Sequence, residues 1–200
     1  MKQDEPLNVL AVVGSMNVNS VTRIVVHEAA RQLIAAGAHV DFCDLAADPL
    51  VLFNPDSAYT APYYDALKAR VENADVFLLG TPDYHGSMSS AIKNFLDHFW
   101  REFAGKLFGS IVASHEKGLT VADQLRTVAR QCYAWSLPYG ISFADGSDVK
   151  GGVIVSDALN QRLAMFVRDL HVYGRMLASQ RALDLAGTEH CFLERHRSPL

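Results

Sequence analysis

The strongest constraint on this chain is its apolar periodicity, which alternates from one end to the other between strand-like runs and helix-like stripes. LNVLAVV (Leu7 to Val13) is a near-continuous apolar run, of the kind covered on both faces in a parallel sheet. Val21, Val25, Ala29, Leu33 and Ala36 then recur at helical spacing, and Gly37 stops the helix. A second strand, His39 to Cys43, leads through Asp48-Pro49 and Asn54-Pro55 to a weaker helix carrying Tyr64, Leu67, Val71 and Ala74. The third strand, Val76 to Gly80, precedes a helix expected to carry Met88, Ile92, Phe95, Phe99 and Phe103. Leu107 to Ser114 is the fourth strand, and its helix bears Val121, Leu125, Val128, Cys132 and Trp135. A short fifth strand at about Tyr139 to Phe143 is separated by the Gly-rich stretch Asp145 to Gly152 from the last helix, Leu159 to Leu177. From about Arg181 no convincing period remains, so residues 1–180 are expected to form one domain and 181–200 a C-terminal tail.

Strands that alternate with helices require right-handed crossovers and give a three-layer α/β sandwich. The doubly wound order 2-1-3-4-5 needs only five parallel strands and suits 200 residues better than a six-stranded dinucleotide fold. In that order the first and third strands lie side by side while their connections leave in opposite directions, so the loops after them should hold a ligand. Composition narrows the partners. Half the chain is apolar, enough for a proper core, and a formal charge of −4 lacks the cationic surface that nucleic acid demands. No apolar run reaches the roughly 18 residues of a membrane span, and MKQDEPLNVL has no long apolar segment, so a cytoplasmic location is expected. Cys43, Cys132 and Cys191 are widely spaced without a CxxC pair, and Cys43 and Cys132 are read as buried apolar fillers.

The loop after the first strand reads Gly14-Ser15-Met16-Asn17-Val18-Asn19-Ser20-Val21-Thr22. Short hydroxyl and amide side chains at a helix start, with the free amides and positive dipole end found there, make a phosphate socket. It is neither a Walker loop nor a GxGxxG fingerprint. The loop after the third strand, Thr81-Pro82-Asp83-Tyr84-His85-Gly86-Ser87, offers backbone amides on a Pro-stiffened turn, an aromatic surface at Tyr84 and close approach at Gly86. It suits a planar heterocycle.

Gly-Ser-x-x-x-x-Ser after the first strand, with Pro-x-Tyr-His-Gly-Ser-x-x-x-x-x-Lys-Asn after the third, resembles the NAD(P)H-dependent FMN reductase family of flavodoxin-like flavoproteins. That family includes quinone, azo-dye and chromate reductases. The agreement of Pro82, Tyr84, His85, Gly86, Ser87, Lys93 and Asn94 is its specific part, and the element order matches over about residues 7 to 180. The resemblance implies that Ser15, Asn17, Asn19, Ser20 and Val21 surround the FMN phosphate. It implies that Pro82, Asp83, Tyr84, His85 and Gly86 lie against the isoalloxazine, and that Ser114, His115, Lys117 and Gly118 border its pyrimidine side. Non-covalent FMN, with NADPH or NADH as co-substrate and a small-molecule electron acceptor, follows from it. No side chain is expected as acid or base, because the flavin N5 carries the chemistry. Two positions depart from the family: Asn17 stands where Arg is common, leaving Arg23 as the candidate cation, and Ser114-His115-Glu116-Lys117-Gly118 replaces paired glycines.

Other readings are poorer. Ser114, His115 and Glu116 are strand-end neighbours that point to alternating sides, and no GxSxG elbow accompanies them. His190, Cys191 and His196 lack accepted metal spacing. The alternative within flavin chemistry is an electron carrier or flavin-binding protein without NAD(P)H turnover, although carriers of this fold are typically shorter and more acidic. Phe95, Phe99 and Phe103, with Leu96 and Trp100 on an adjoining face, are expected to form an interface of a homodimer or homotetramer.

Overall fold

The computed structural model describes residues 5–197. Its elements are β1 (Asn8–Val13), α1 (Val21–Ala35), β2 (His39–Asp44), α2 (Tyr64–Asn73), β3 (Val76–Tyr84), β4 (Ser87–Met88), α3 (Ser90–Asp97), β5 (Leu107–Ala113), α4 (Leu119–Gln131), β6 (Trp135–Ser136), β7 (Ile141–Phe143), β8 (Val149–Lys150), β9 (Val153–Ile154) and α5 (Asp157–Ala186). The parallel strands β2, β1, β3 and β5 lie in that order, and β6 and β7 both pair in parallel with β5. The five-stranded flavodoxin-like order 2-1-3-4-5 is therefore present, with its fifth strand broken at Leu137 to Gly140 around Pro138, which has no N–H for a sheet ladder. Trp135, read as helical from its spacing, opens that broken strand.

The sheet is buried on both faces because its strands are apolar at nearly every position. Val9, Ala11 and Val13 pack with Val25, Val26, Ala29 and Leu33 of α1 and with Leu163, Phe166 and Leu170 of α5. Leu10 and Val12 face the other layer, where Phe77, Leu79 and Phe108 meet Phe95, Phe99 and Phe103. Those last three phenylalanines are 0, 4 and 0 % exposed, so the stripe expected to form a subunit interface is this chain's own core. Only Trp100, half exposed, stands outside it. The helix that was to carry them is short: Met88 lies in β4, α3 ends at Asp97, and Phe103 sits in a separate turn, Arg101–Phe103. Cys43 and Cys132 are buried, as their apolar neighbourhoods suggested.

The expected tail is structured as far as residue 197, and residues 198–200 lie outside the described residues. α5 continues through Arg181 to Ala186, so a boundary at residue 180 falls inside a helix. Arg181 Nε donates to the Ala104 carbonyl at 2.9 Å, and Leu193, 1 % exposed, packs against Gly105. Phe192 stacks on Tyr133, and Arg197 donates from Nε to the Asp184 carbonyl and from Nη2 to the Glu189 carbonyl, so several separate contacts secure a segment too short to show a period.

Candidate functional site

β1 and β3 end together, with Val13 opposite Gly80 and the Gly14 N–H donating to the Gly80 carbonyl at 2.8 Å. A Cβ on Gly14 would lie 2.7 Å from Ile92 Cβ, so the chain can leave β1 this close to α3 only without a side chain. The loop beyond is wound on its own polar groups. Ser15 Oγ accepts the Asn17 N–H at 3.4 Å, Asn17 Oδ1 accepts the Asn19 N–H at 2.9 Å, and Ser20 Oγ caps α1 by accepting the Arg23 N–H at 3.3 Å.

Ser15 and Ser20 are 3 and 5 % exposed, yet no described group accepts the proton of either hydroxyl. The N–H groups of Ser20, Val21 and Thr22 also have no described acceptor. Elsewhere in the site buried serines spend both functions: Ser89 Oγ donates to the Gly14 carbonyl at 2.6 Å while accepting the Ile92 N–H. Buried hydroxyls normally find partners. Their unspent donors here fit a phosphate group, with the amides of the first helical turn beside them.

Arg23 does not supply a free cation to this socket. Its Nε and Nη2 hold the two Asp44 carboxylate oxygens at 2.6 and 3.0 Å, and Nη1 donates to the carbonyls of Asn17 and Val18 at 2.9 and 3.1 Å. The guanidinium holds the Asp44 carboxyl below its usual range against the cost of desolvation, helped by the Ala46 N–H. The residue that was the candidate replacement for a missing cationic contact is instead a clamp under the loop.

β3 runs on to Tyr84 and turns back into β4, with His85 and Gly86 at φ 57° and 76°. Both central residues of this two-residue hairpin turn are left-handed, which glycine tolerates best. Asp83 organises it: Oδ1 accepts the Gly86 N–H at 2.9 Å, and Oδ2 accepts the Ser114 hydroxyl at 2.8 Å from the end of β5. Asp83 thus joins the second loop to the third. Pro82 is buried, while Tyr84, His85 and Gly86 are exposed at the tip. In the third loop Ser114 is buried, His115, Glu116 and Lys117 are exposed, and Gly118 caps α4 in a left-handed conformation. Ser114 Oγ also accepts the Glu116 N–H, so the His115–Lys117 segment bends tightly outward from a fixed base.

The sequence reading missed the supports. Gln124 of α4 accepts from Ser87 Oγ and the Met88 N–H, both at 3.1 Å, and donates to the Gly86 carbonyl at 3.3 Å. Thr81 Oγ1 accepts the Ser89 N–H at 2.9 Å. Asn94 of the Lys93-Asn94 motif accepts the Phe53 N–H at 2.7 Å and donates to the Val51 carbonyl at 3.0 Å, pinning the loop after β2. Only Asn94 carried a signal, by its place in the motif. Gln124 is an ordinary polar residue on a helix until the fold brings it to the hairpin. Among the described residues no group of three or more His, Cys, Asp or Glu is placed to hold a metal ion, and no helix is long and apolar enough to cross a membrane.

Comparison with known proteins agrees with this arrangement. The chain is 30% identical over 173 residues to an FMN-dependent NADPH-azoreductase of Staphylococcus aureus, covering 79% of this chain and 90% of that one. It is 29% identical over 172 residues, with the same coverage, to the enzyme of that description from Staphylococcus haemolyticus. Among solved structures, the apo form of the NADH:FMN oxidoreductase EMOB superposes with a TM-score of 0.70 at 18% identity, over 84% of this chain and 89% of that one. The NAD(P)H:(acceptor) oxidoreductase FerB of Paracoccus denitrificans gives 0.69 at 23% identity, over 85% and 98%. These two share the fold. The family described as NADPH-dependent FMN reductase matches residues 7–148, the stretch that contains all three loops, and the chain belongs to that family as an FMN-dependent NAD(P)H oxidoreductase.

Proposed function

We propose that this protein holds FMN across the three loops and passes electrons from NAD(P)H to planar aromatic acceptors, azo compounds and quinones among them. The observation that carries this reading is the unspent donor set of Ser15, Ser20 and the first turn of α1, set beside two loops that Asp83 and Ser114 lock together. The redox chemistry is that of bound FMN, which takes two electrons from NAD(P)H and returns them to a second acceptor. The chain's own part is to bind and orient. Ser15, Ser20 and the amides of Val21 and Thr22 meet the phosphate, Asn17 and Asn19 shape the loop around it, and the Pro82–Gly86 hairpin and Ser114–Gly118 border the ring.

The azoreductase relatives support the acceptor class, as do the exposed ring of Tyr84 and the apolar groove beside the first loop. That groove, about 220 Å³, is lined by Met16, Leu45, Leu50 and Leu52. A homodimer in the cytoplasm is part of the proposal. Met16 and Leu52 in the groove, 52 and 84 % exposed, and Val51 next to them, 59 % exposed, are apolar groups that a partner subunit would cover. The free cysteines, two of them buried, suit a reducing compartment.

The test is anaerobic mixing of the FMN-loaded protein with NADPH, then with an azo dye or a quinone. Rapid bleaching of the flavin near 450 nm and recovery on adding acceptor are expected. A flavin that binds but stays yellow with both NADPH and NADH would identify an electron carrier and overturn the proposal.

A further inference from the structure

The phosphate socket has one puzzling property: it is built without an available positive charge. Its donors are neutral hydroxyls and amides, and its one neighbouring arginine is spent on Asp44 and on the carbonyls of Asn17 and Val18. A phosphate monoester brings about two negative charges to a chain whose formal charge is already −4. Charge-assisted bonds are roughly twice as strong as neutral ones, so a cation near this socket would matter.

One such cation is close by, on an element the loops do not include. Between β7 and α5 the chain forms the β8–β9 hairpin, whose tip is Gly151-Gly152. The hairpin crosses to the start of α1, and a groove of about 490 Å³ separates the two. Val18, Asn19, Ser20 and Val21 wall one side of it, and Val149, Lys150, Gly151 and Gly152 wall the other. The hairpin base is held firmly: the Val155 N–H donates to the Asp148 carbonyl at 2.8 Å, and Asp148 Oδ2 accepts the Ala144 N–H at 2.9 Å. Lys150 is exposed and makes no ion pair among the described residues. Asp145, bridged to Val149 next to the lysine, also lines the groove and offsets part of the lysine's field.

We propose that Lys150 is the cationic arm of the phosphate site, reaching across the groove to the phosphate held by Ser20 and its neighbours, and that it makes the protein prefer FMN over riboflavin. The inference rests on the assignment of Ser15 to Thr22 as the phosphate loop. It places part of cofactor recognition on the β8–β9 hairpin, outside the three loops at the strand ends.

The experiment titrates apoprotein with FMN and with riboflavin, following flavin fluorescence, for the parent, Lys150→Ala, Lys150→Arg and Ser20→Ala. Lys150→Ala should weaken FMN by about three- to tenfold and leave riboflavin within about twofold, since only FMN carries the charge. The loss should shrink in 0.5 M salt, where the screening length falls to a few ångströms, and Lys150→Arg should restore most of the affinity. Unchanged FMN affinity in Lys150→Ala overturns the inference, and so does an equal loss for both flavins, which would mark a purely structural hairpin. Ser20→Ala separates the two readings. If it weakens FMN while Lys150→Ala does not, the arm is wrong and the loop stands. If neither variant weakens FMN, the phosphate-loop assignment falls with the arm.

Discussion

Removing Arg23 should damage cofactor binding without removing any group assigned to the cofactor. The guanidinium makes two bonds to Asp44 and bonds to the carbonyls of Ser15, Asn17 and Val18, and the Arg23 and Asp44 side chains are only 19 and 24 % exposed. In Arg23→Ala the Asp44 carboxylate keeps the Ala46 N–H as its neighbour and loses its charged partner. A bond to a charged group is worth about 1.5 to 3 kcal/mol, and partial exposure puts this loss near the middle, at about 2 kcal/mol. In a chain of this size that corresponds to a melting temperature lower by roughly 4 to 8 °C. The loop loses three tethers as well. Re-ordering even two of its residues on binding costs on the order of 2 kcal/mol, about thirtyfold in the Kd for FMN. Arg23→Lys should fall between, because one ammonium cannot serve both the carboxylate and the carbonyls. The pH response follows from the same pair. The Asp44 carboxyl titrates lower in the fold than in the unfolded chain, so its stabilisation is complete above about pH 4 and fades as pH falls below that. Arg23→Ala should flatten this acid limb. Fluorescence titration of apoprotein and thermal melts between pH 3 and 7 are the assays. An Arg23→Ala protein that binds FMN within twofold of the parent and melts at the same temperature would refute the clamp.

Lys106 is 2 % exposed, its Nζ donates to the carbonyls of Val71 and Glu72 at 2.8 Å each, and burial pushes its pKa down to about 7. The unfolded chain, with lysine near 10.4, then binds the extra proton between the two values, so urea midpoints should rise from about pH 7 toward pH 10. Lys106→Met should lose that rise, and an unaltered slope would show that another group causes it. Leu193→Ala should cost about 2 to 4 kcal/mol by removing a fully buried side chain from the C-terminal segment, yet leave FMN affinity alone. Loss of flavin from a still-folded Leu193→Ala protein would mean that this segment reaches the site. For the third loop, where Lys117 is exposed on a segment that bends outward, Lys117→Ala is expected to leave the two-electron potential of the bound flavin within about 30 mV of the parent, the shift that a tenfold change in its redox equilibrium would give. Spectroelectrochemical titration showing a fall of about 30 mV or more, larger at low ionic strength, would mean that Lys117 reaches the ring.

Read alone, the residues were enough to place the four long parallel strands and the loops that follow β1 and β3, although not the short strands β4, β6, β8 and β9. Both depend on short-range physics: apolar runs doubly covered in a sheet must read as continuous, and a phosphate socket needs small polar residues where a strand gives way to a helix. That is why the Ser15 to Ser20 loop and the Tyr84-His85-Gly86 turn stand out in the sequence as the ends of β1 and β3. Three features do not. Phe95, Phe99 and Phe103 are apolar on any reading, but whether an apolar stripe faces a partner or its own sheet depends on what lies opposite, here Phe77 and Phe108. The path of residues 181–197 turns on scattered single contacts, Leu193 in the core, Phe192 on Tyr133 and the arginines on main-chain carbonyls, which leave no period to detect. The roles of Arg23, Gln124 and Asp83 were set by partners 21, 37 and 31 residues away in Asp44, Ser87 and Ser114. A donor's availability to a ligand is a remainder, what is left after the fold has claimed its share, and tertiary contacts alone determine it.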